Sequence, residues 1–400
     1  MKKSIILLLI FYAFPALYGQ ESYDAVLRAI ALSSLGETEE SISLLDKAIA
    51  VGATADLYLT RGEIYLNASM TKEAVADFMA AERLKEGRGL YGLARCAAAT
   101  GDAKAASAYL EAHLRSGYKK SEPEIVLDSK MALISSSPEW RALWKKEWYK
   151  GFERKKWEIE NYLKSGQKEM ASETYASLAA EYPGMEVTEY CGALMKMDAR
   201  TYAEAVKYLV PLTTGASTPP SYLFKLAEAH AGNGDYFAAA SVYGRLILAQ
   251  YPDAKLYLQK ADMLSRAGNK KAATADIEKY LGYYPDDFRA LSHLGQILAE
   301  GGDIFDALPY LNRNIELHPG ESEAFSLRGD AWFAGRTWEK AAEDYTMSLD
   351  LDPNNPAVNL NLGISLIKCG KSEEACHYLR KAKDLGEKAA TQYLSKYCIN

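Results

Sequence analysis

The chain has 400 residues, 48% of them hydrophobic and 25% charged, with 13 prolines and a formal net charge of −6. This composition excludes wholesale disorder. The negative balance excludes a sequence-blind nucleic-acid binder, which needs a basic surface to displace counterions.

The N-terminus reads as an export signal and not as part of the fold. Lys2 and Lys3 are a short positive region, and Ile5 to Phe14 is an apolar run that Pro15 breaks. Leu17, Tyr18 and Gly19 then place a small residue at a cleavage point before Gln20. A bilayer span needs about 20 apolar residues, and this run is shorter. No cysteine lies near the cut, so there is no lipoprotein acceptor. The pattern resembles Bacteroidota export signals, which often leave Gln first in the mature chain. Residues 1–19 are therefore expected to be removed. No later segment is apolar enough to cross a bilayer, which places the mature chain in the periplasm or outside the cell.

Residues 20–117 carry helix-pair patterns with small residues at fixed places. Ala29, Leu45 and Ala48 form a weak copy. Gly62, Tyr65, Ala74, Phe78 and Ala81 form a near-ideal one, and Ala94, Ala106 and Leu110 a third. Gly36-Glu37 and Gly101-Asp102 mark turns between helices.

Residues 118–151 break the pattern, with interruptions at Pro123 and at Ser135-Ser136-Ser137-Pro138. Pro138 is expected to start a helix with Ser137 as its N-cap. Trp140, Trp144 and Trp148 follow at fourfold spacing, which puts them on one stripe of that helix. The segment is expected to be an irregular helical joint between two repeat blocks.

The second block covers residues 152–386. Tyr162, Ala171, Tyr175 and Pro183 make one copy, Gly192, Ala205 and Tyr208 another with a one-residue slip, and Ala227, Ala239, Tyr243 and Pro252 a third. From there the period is strict. Ala273, Ala307, Ala341 and Ala375 lie 34 residues apart, as do Pro285, Pro319 and Pro353, and Gly295, Gly329 and Gly363. The clearest copy is Ser322 to Asn355, with Leu327, Arg328, Gly329, Trp332, Ala341, Tyr345, Ser348 and Pro353. The small residues allow two antiparallel helices to cross closely, and Pro353 ends the second helix because its ring cannot continue the hydrogen-bond ladder. A last helix from Glu387 to the end at 400 would cap the array.

A 34-residue unit with these residue types resembles the tetratricopeptide repeat, and about nine degenerate copies cover almost all of the mature chain. The resemblance implies an all-α chain, an α-solenoid superhelix of stacked antiparallel helix pairs. One pair cannot bury its apolar face, and stacking many pairs does. It also implies a protein- or peptide-binding scaffold, without catalysis, metal or cofactor.

Nothing in the sequence argues against that. His113, His230, His293, His318 and His377 are scattered, and there is no metal, nucleophile or phosphate-loop motif. Cys96 and Cys191 read as buried small hydrophobes. Among the other three cysteines, a return of the chain around Gly386 would bring Cys376 near Cys398, one pairing left open by the odd count of five.

Two candidate binding surfaces stand out. In the resembled family the first helix of each pair lines the inner face. The position after the small residue there holds Glu63, Arg95, Glu160, Glu228, Asp262, Gln296, Asp330 and Ile364, of which five are acidic. A second inner row holds Leu59, Tyr91, Lys156, Phe224, Leu258, Ser292, Ser326 and Leu360 and is mostly apolar. An acidic rail beside an apolar one suits a peptide carrying basic and apolar groups. The alternative is that exposed positions are simply acidic in a chain of net −6. The other surface is the stripe of Trp140, Trp144 and Trp148, flanked by Arg141, Lys145, Lys146, Lys150, Arg154, Lys155 and Lys156, either a contact for an acidic partner or an anionic membrane surface or, as aromatic stripes usually are, core. A pocket of convergent polar and aromatic groups in the joint would favour a different role, a module for glycans or cell-wall fragments.

Overall fold

The computed structural model describes residues 20–215 and 218–398. The expected export signal, residues 1–19, lies outside them. Every regular element among the described residues is helical, and the helices come in antiparallel pairs.

In the repeat from Ser322 the two helices are Ser322–Ala334 and Trp338–Leu351. The turn between them needs one left-handed residue. Arg336 supplies it here at φ 58°, whereas Gly268, Gly302 and Gly370 supply it in the neighbouring pairs. The small residue in the first helix has a specific neighbour. A Cβ on Gly329 would lie 2.8 Å from the Tyr345 ring, so the glycine makes room for the aromatic residue sixteen positions later and not for Ala341. The same spacing joins Gly62 to Phe78, Gly295 to Leu311 and Gly363 to Leu379. Tyr345, Phe78, Leu311 and Leu379 are fully buried.

One position earlier, an ion pair bridges the same two helices. Arg61 meets Asp77 at 2.7 Å, Lys260 meets Asp276 at 3.1 Å, and Arg328 meets Asp344 at 2.6 Å. Asp77 and Asp344 are each 4% exposed, so each carboxylate is buried with its cation folded over it. Each pair thus sets the register of its two helices by polar as well as apolar fit.

Two compact units divide the chain. The first holds the described residues to Gly234 together with Arg245–Asp253, and the second holds Asp235–Gly244 and the described residues from Ala254. The irregular segment therefore lies inside the first unit. It consists of helix Glu122–Val126, a 3-10 turn Ser129–Ile134 and helix Pro138–Trp144. Ser137 caps the last of these as its sequence suggests, its Oγ accepting the Trp140 N–H at 3.1 Å. The three tryptophans do not share one helix, however. The helix stops at Trp144, and Trp148 folds back so that its Nε1 donates to the Leu143 carbonyl at 2.9 Å. Trp140 is buried among Ile125, Met131, Ile134 and Tyr149, with Trp144 and Trp148 packed against the same cluster.

In the second unit the last pair, Pro356–Lys368 and Ser372–Asp384, is followed by the short helix Ala390–Tyr397. Cys376 and Cys398 form a disulfide with their Cα atoms 5.7 Å apart, while Cys96 and Cys191 are buried thiols and Cys369 is partly exposed.

Candidate functional site: the first-helix face

The position after the packing residue falls on the first helix of each pair. Glu63 lies on Ala55–Asn67, Arg95 on Leu90–Ala99, Glu160 on Gly151–Lys164 and Glu228 on Pro220–Gly232. In the second unit Asp262 lies on Lys255–Arg266 and Asp330 on Ser322–Ala334. Side chains from successive first helices reach one another across the stack. Arg95 Nη1 donates to Glu63 at 2.6 Å, the Tyr190 hydroxyl donates to Glu160 at 3.2 Å, and Asn361 Nδ2 donates to Asp330 at 3.2 Å. Tyr190 and Tyr222 stack at 4.3 Å. Within each unit the first helices thus form a shared surface.

Four of the five carboxylates of the acidic row have a cation close by. Glu63 pairs with Arg95, which also meets Asp128 at 2.9 Å. Glu160 lies 3.8 Å from Lys156. Glu228 pairs with Lys225 at 2.7 Å and Asp262 with Arg266 at 3.2 Å. Asp330 has no cation beside it among the described residues but accepts the Tyr345 hydroxyl at 2.7 Å. Asp330 is exposed as a residue, while desolvation of its carboxylate raises its pKa, against the hydrogen bonds from Tyr345 and Asn361. It therefore accepts from a buried phenol while remaining on the exposed first-helix face.

The apolar row is mixed in the same way. Phe224 meets the Tyr251 ring edge-on at 5.3 Å, Leu258 is half-buried, and Tyr91 donates to Asp128 at 2.7 Å. Burial, with that bond, pushes the Tyr91 phenol well above its ordinary range.

Cavities open on this face of the first unit. One, of about 490 Å³, brings together Glu160, Leu163, Leu194, Met197, Lys225 and Glu228, so two of the predicted carboxylates do converge. Glu63 stands between two others. A cavity of about 650 Å³ lies on its Tyr91, Arg95, Lys120 and Asp128 side. A larger one, about 930 Å³, lies between the helix over 20–34, the helix Ala55–Asn67 and the turn at 249–252. Two of its lining residues are joined directly, the Tyr23 hydroxyl donating to the Tyr251 carbonyl at 2.9 Å. Those partners are 228 residues apart, so no periodicity could have joined them. In the second unit a cavity of about 650 Å³ is polar, lined by Arg289, Ser292, His293, Gln296, His318 and Glu321. Of the alternative surface, Trp140 is buried at 7% exposure, while Trp144 and Trp148 are partly exposed.

Profiles of the tetratricopeptide repeat match residues 221–254, 258–320, 302–356 and 345–377. Tetratricopeptide repeat protein 13 of Homo sapiens is 26% identical over 114 residues, which are 28% of this chain and 13% of that protein. The chain therefore matches a small part of that relative's length. Among solved structures, the APC/C hetero-tetramer Cut9–Hcn1 is similar over 95% of this chain and 84% of that one, with 16% identity and a TM-score of 0.45. MamA from Desulfovibrio magneticus RS-1 is similar over 41% and 93%, with 21% identity and a TM-score of 0.39. YrrB, described as a TPR protein with an unusual peptide-binding site, is similar over 49% and 97%, with 19% identity and a TM-score of 0.38.

Proposed function

We propose that this chain, with tetratricopeptide repeats between residues 221 and 377, is a scaffold that binds partner proteins or peptides on the first-helix face of its helix pairs. The observation that carries this is the pooling of side chains from successive first helices into one surface with open cavities, above all the one that joins Glu160 to Glu228. Its ion pairs do not seal it. Exposed pairs such as Lys225–Glu228 contribute only about 0–1 kcal/mol, so a lysine or arginine of a partner can replace Lys225 at little cost. Leu194 and Met197 supply the apolar contact beside it.

The test is a charge reversal on this face beside one on the other helices. Glu160→Lys with Glu228→Lys should lower recovery of partners from an envelope extract about tenfold, and should make what remains less salt-sensitive. Glu169→Lys with Glu173→Lys, on the exposed side of the helix Lys168–Glu181, should change nothing. Equal recovery by the two folded variants would reject this face.

We place the protein in the cell envelope. The N-terminal pattern of residues 1–19 supports export, and the Cys376–Cys398 pair suits an oxidising compartment. The intact mass of the mature protein should correspond to a chain starting at Gln20, and a retained Met1 would contradict export by this route.

A further inference from the structure

Resting on the proposed peptide-binding role, we infer that the 930 Å³ cavity bordered by the Tyr23–Tyr251 contact takes an uncharged, apolar peptide segment of a partner protein. Its size falls within the range of pockets that enclose a ligand. Its floor is aliphatic: Val26 and Ile64 are buried beneath it, and Ile30 and Leu59 border it half-buried. Water held against such a floor has few hydrogen-bond partners and is readily displaced by an apolar side chain.

Charge decides against an ionic ligand. The two carboxylates of the wall are already matched, Asp56 by Arg88 and Glu63 by Arg95. The wall therefore carries no unmatched charge that would draw an ionic group in, and a charged group pressed onto the aliphatic floor would lose its hydration with no counter-charge there. Ring geometry decides against a sugar. Carbohydrate recognition needs an open aromatic face, but Tyr23 is 4% exposed and the Tyr251 ring is engaged edge-on by Phe224 at 5.3 Å.

The remaining polar groups suit a peptide backbone. The Ser34 and Thr60 hydroxyls donate to the Ala31 and Asp56 carbonyls of their own helices at 2.7 and 2.8 Å, so they present lone pairs, which accept N–H groups. The Asn67 amide makes no hydrogen bond within the protein among the described residues and offers both a donor and an acceptor. An extended segment can therefore place apolar side chains on the floor while its backbone is met at the rim.

The experiment uses the full mature chain and saturation-transfer NMR. Four probes are compared: blocked hexapeptides of Leu, Ile, Val and Ser, the same set with two Lys, the same set with two Glu, and a chitin hexasaccharide. The uncharged peptides should bind about tenfold tighter than either charged set, and the sugar should give no signal. Ile30→Trp, which fills the cavity from its side, should weaken the uncharged set about tenfold or more. Asn67→Leu, at an exposed position that does not threaten folding, should weaken it about fivefold. Tighter binding of a charged set or of the sugar, equal binding by wild type and Asn67→Leu, or no binding by any probe would overturn the proposal. Loss of probe binding while the Glu160/Glu228 reversal still abolishes partner recovery would sink this cavity alone and leave the scaffold role standing.

Discussion

His113 accepts the Lys120 backbone N–H at its Nε2, 3.1 Å away, with its ring 5.1 Å from Tyr91. A protonated imidazole would turn a second donor toward that N–H inside a site only 2% exposed. Burial, aided by Lys120 and opposed by Glu124, accordingly lowers the pKa from 6.5 to about 4. The folded value lies below the unfolded one, so the unfolded chain takes up the proton first. The contribution is complete above pH 6.5 and is lost as pH falls from there toward 4, on the order of 3 kcal/mol at full extent. Hydrogen exchange, corrected for its intrinsic pH dependence, should show protection of residues 113–149 falling between pH 7 and pH 4.5. His113→Gln keeps an acceptor for Lys120 without a titrating group and should flatten that fall. An equal fall in both proteins would mean that another group controls the joint. The sequence marked His113 only as one of five scattered histidines, because its acceptor role depends on a turn seven residues on, where no side-chain pattern reports a backbone N–H.

Several helix pairs are locked by a glycine against a large residue and, in some of them, by a basic residue against a buried aspartate one position earlier. Gly329→Leu should therefore overpack against Tyr345 and cost about 1–3 kcal/mol. Asp330→Ala, next to it, should also destabilise by about 1–3 kcal/mol, because it strips the acceptor from a buried phenol. Glu323→Ala on the same helix, at an exposed position, should be nearly silent. Thermal melts of the three variants check this, and a silent Asp330→Ala would show that the Tyr345 hydroxyl has another acceptor. The 34-residue period, the stop at Pro353 and the Ser137 cap were legible because each is a local rule. The Gly329–Tyr345 pairing and the Arg328–Asp344 bridge were present as repeated sixteen-residue spacings but are visible only when both helices are laid side by side. Trp148 misled for a different reason. Its spacing continues the Trp140 stripe, but the next turn is Lys145, Lys146 and Glu147, all exposed, so nothing buries that turn and the short helix ends.

On the scale of the molecule, periodicity foretold an all-helical chain of stacked pairs, and the repeats matched between residues 221 and 377 agree with it. It could not foretell where the chain divides into units, nor the Tyr23–Tyr251 contact that borders the 930 Å³ cavity of the first unit, since both depend on how small rotations add up along the stack. Nor could it show that the acidic row carries its own cations, because Lys225 and Arg266 lie on the same helices as Glu228 and Asp262 and count, in a sequence, as ordinary solvated charges. The proposed function turns on which face meets the partner, and that can be observed without knowing the partner in advance. A photoreactive phenylalanine analogue placed at Leu163, in the Glu160–Glu228 cavity, or at Lys207, exposed on the second helix Tyr202–Leu212, reports what each face touches on irradiation in an envelope preparation. The scaffold account predicts a discrete crosslinked protein from Leu163 and none from Lys207; crosslinks from Lys207 alone, or the same products from both, would contradict it.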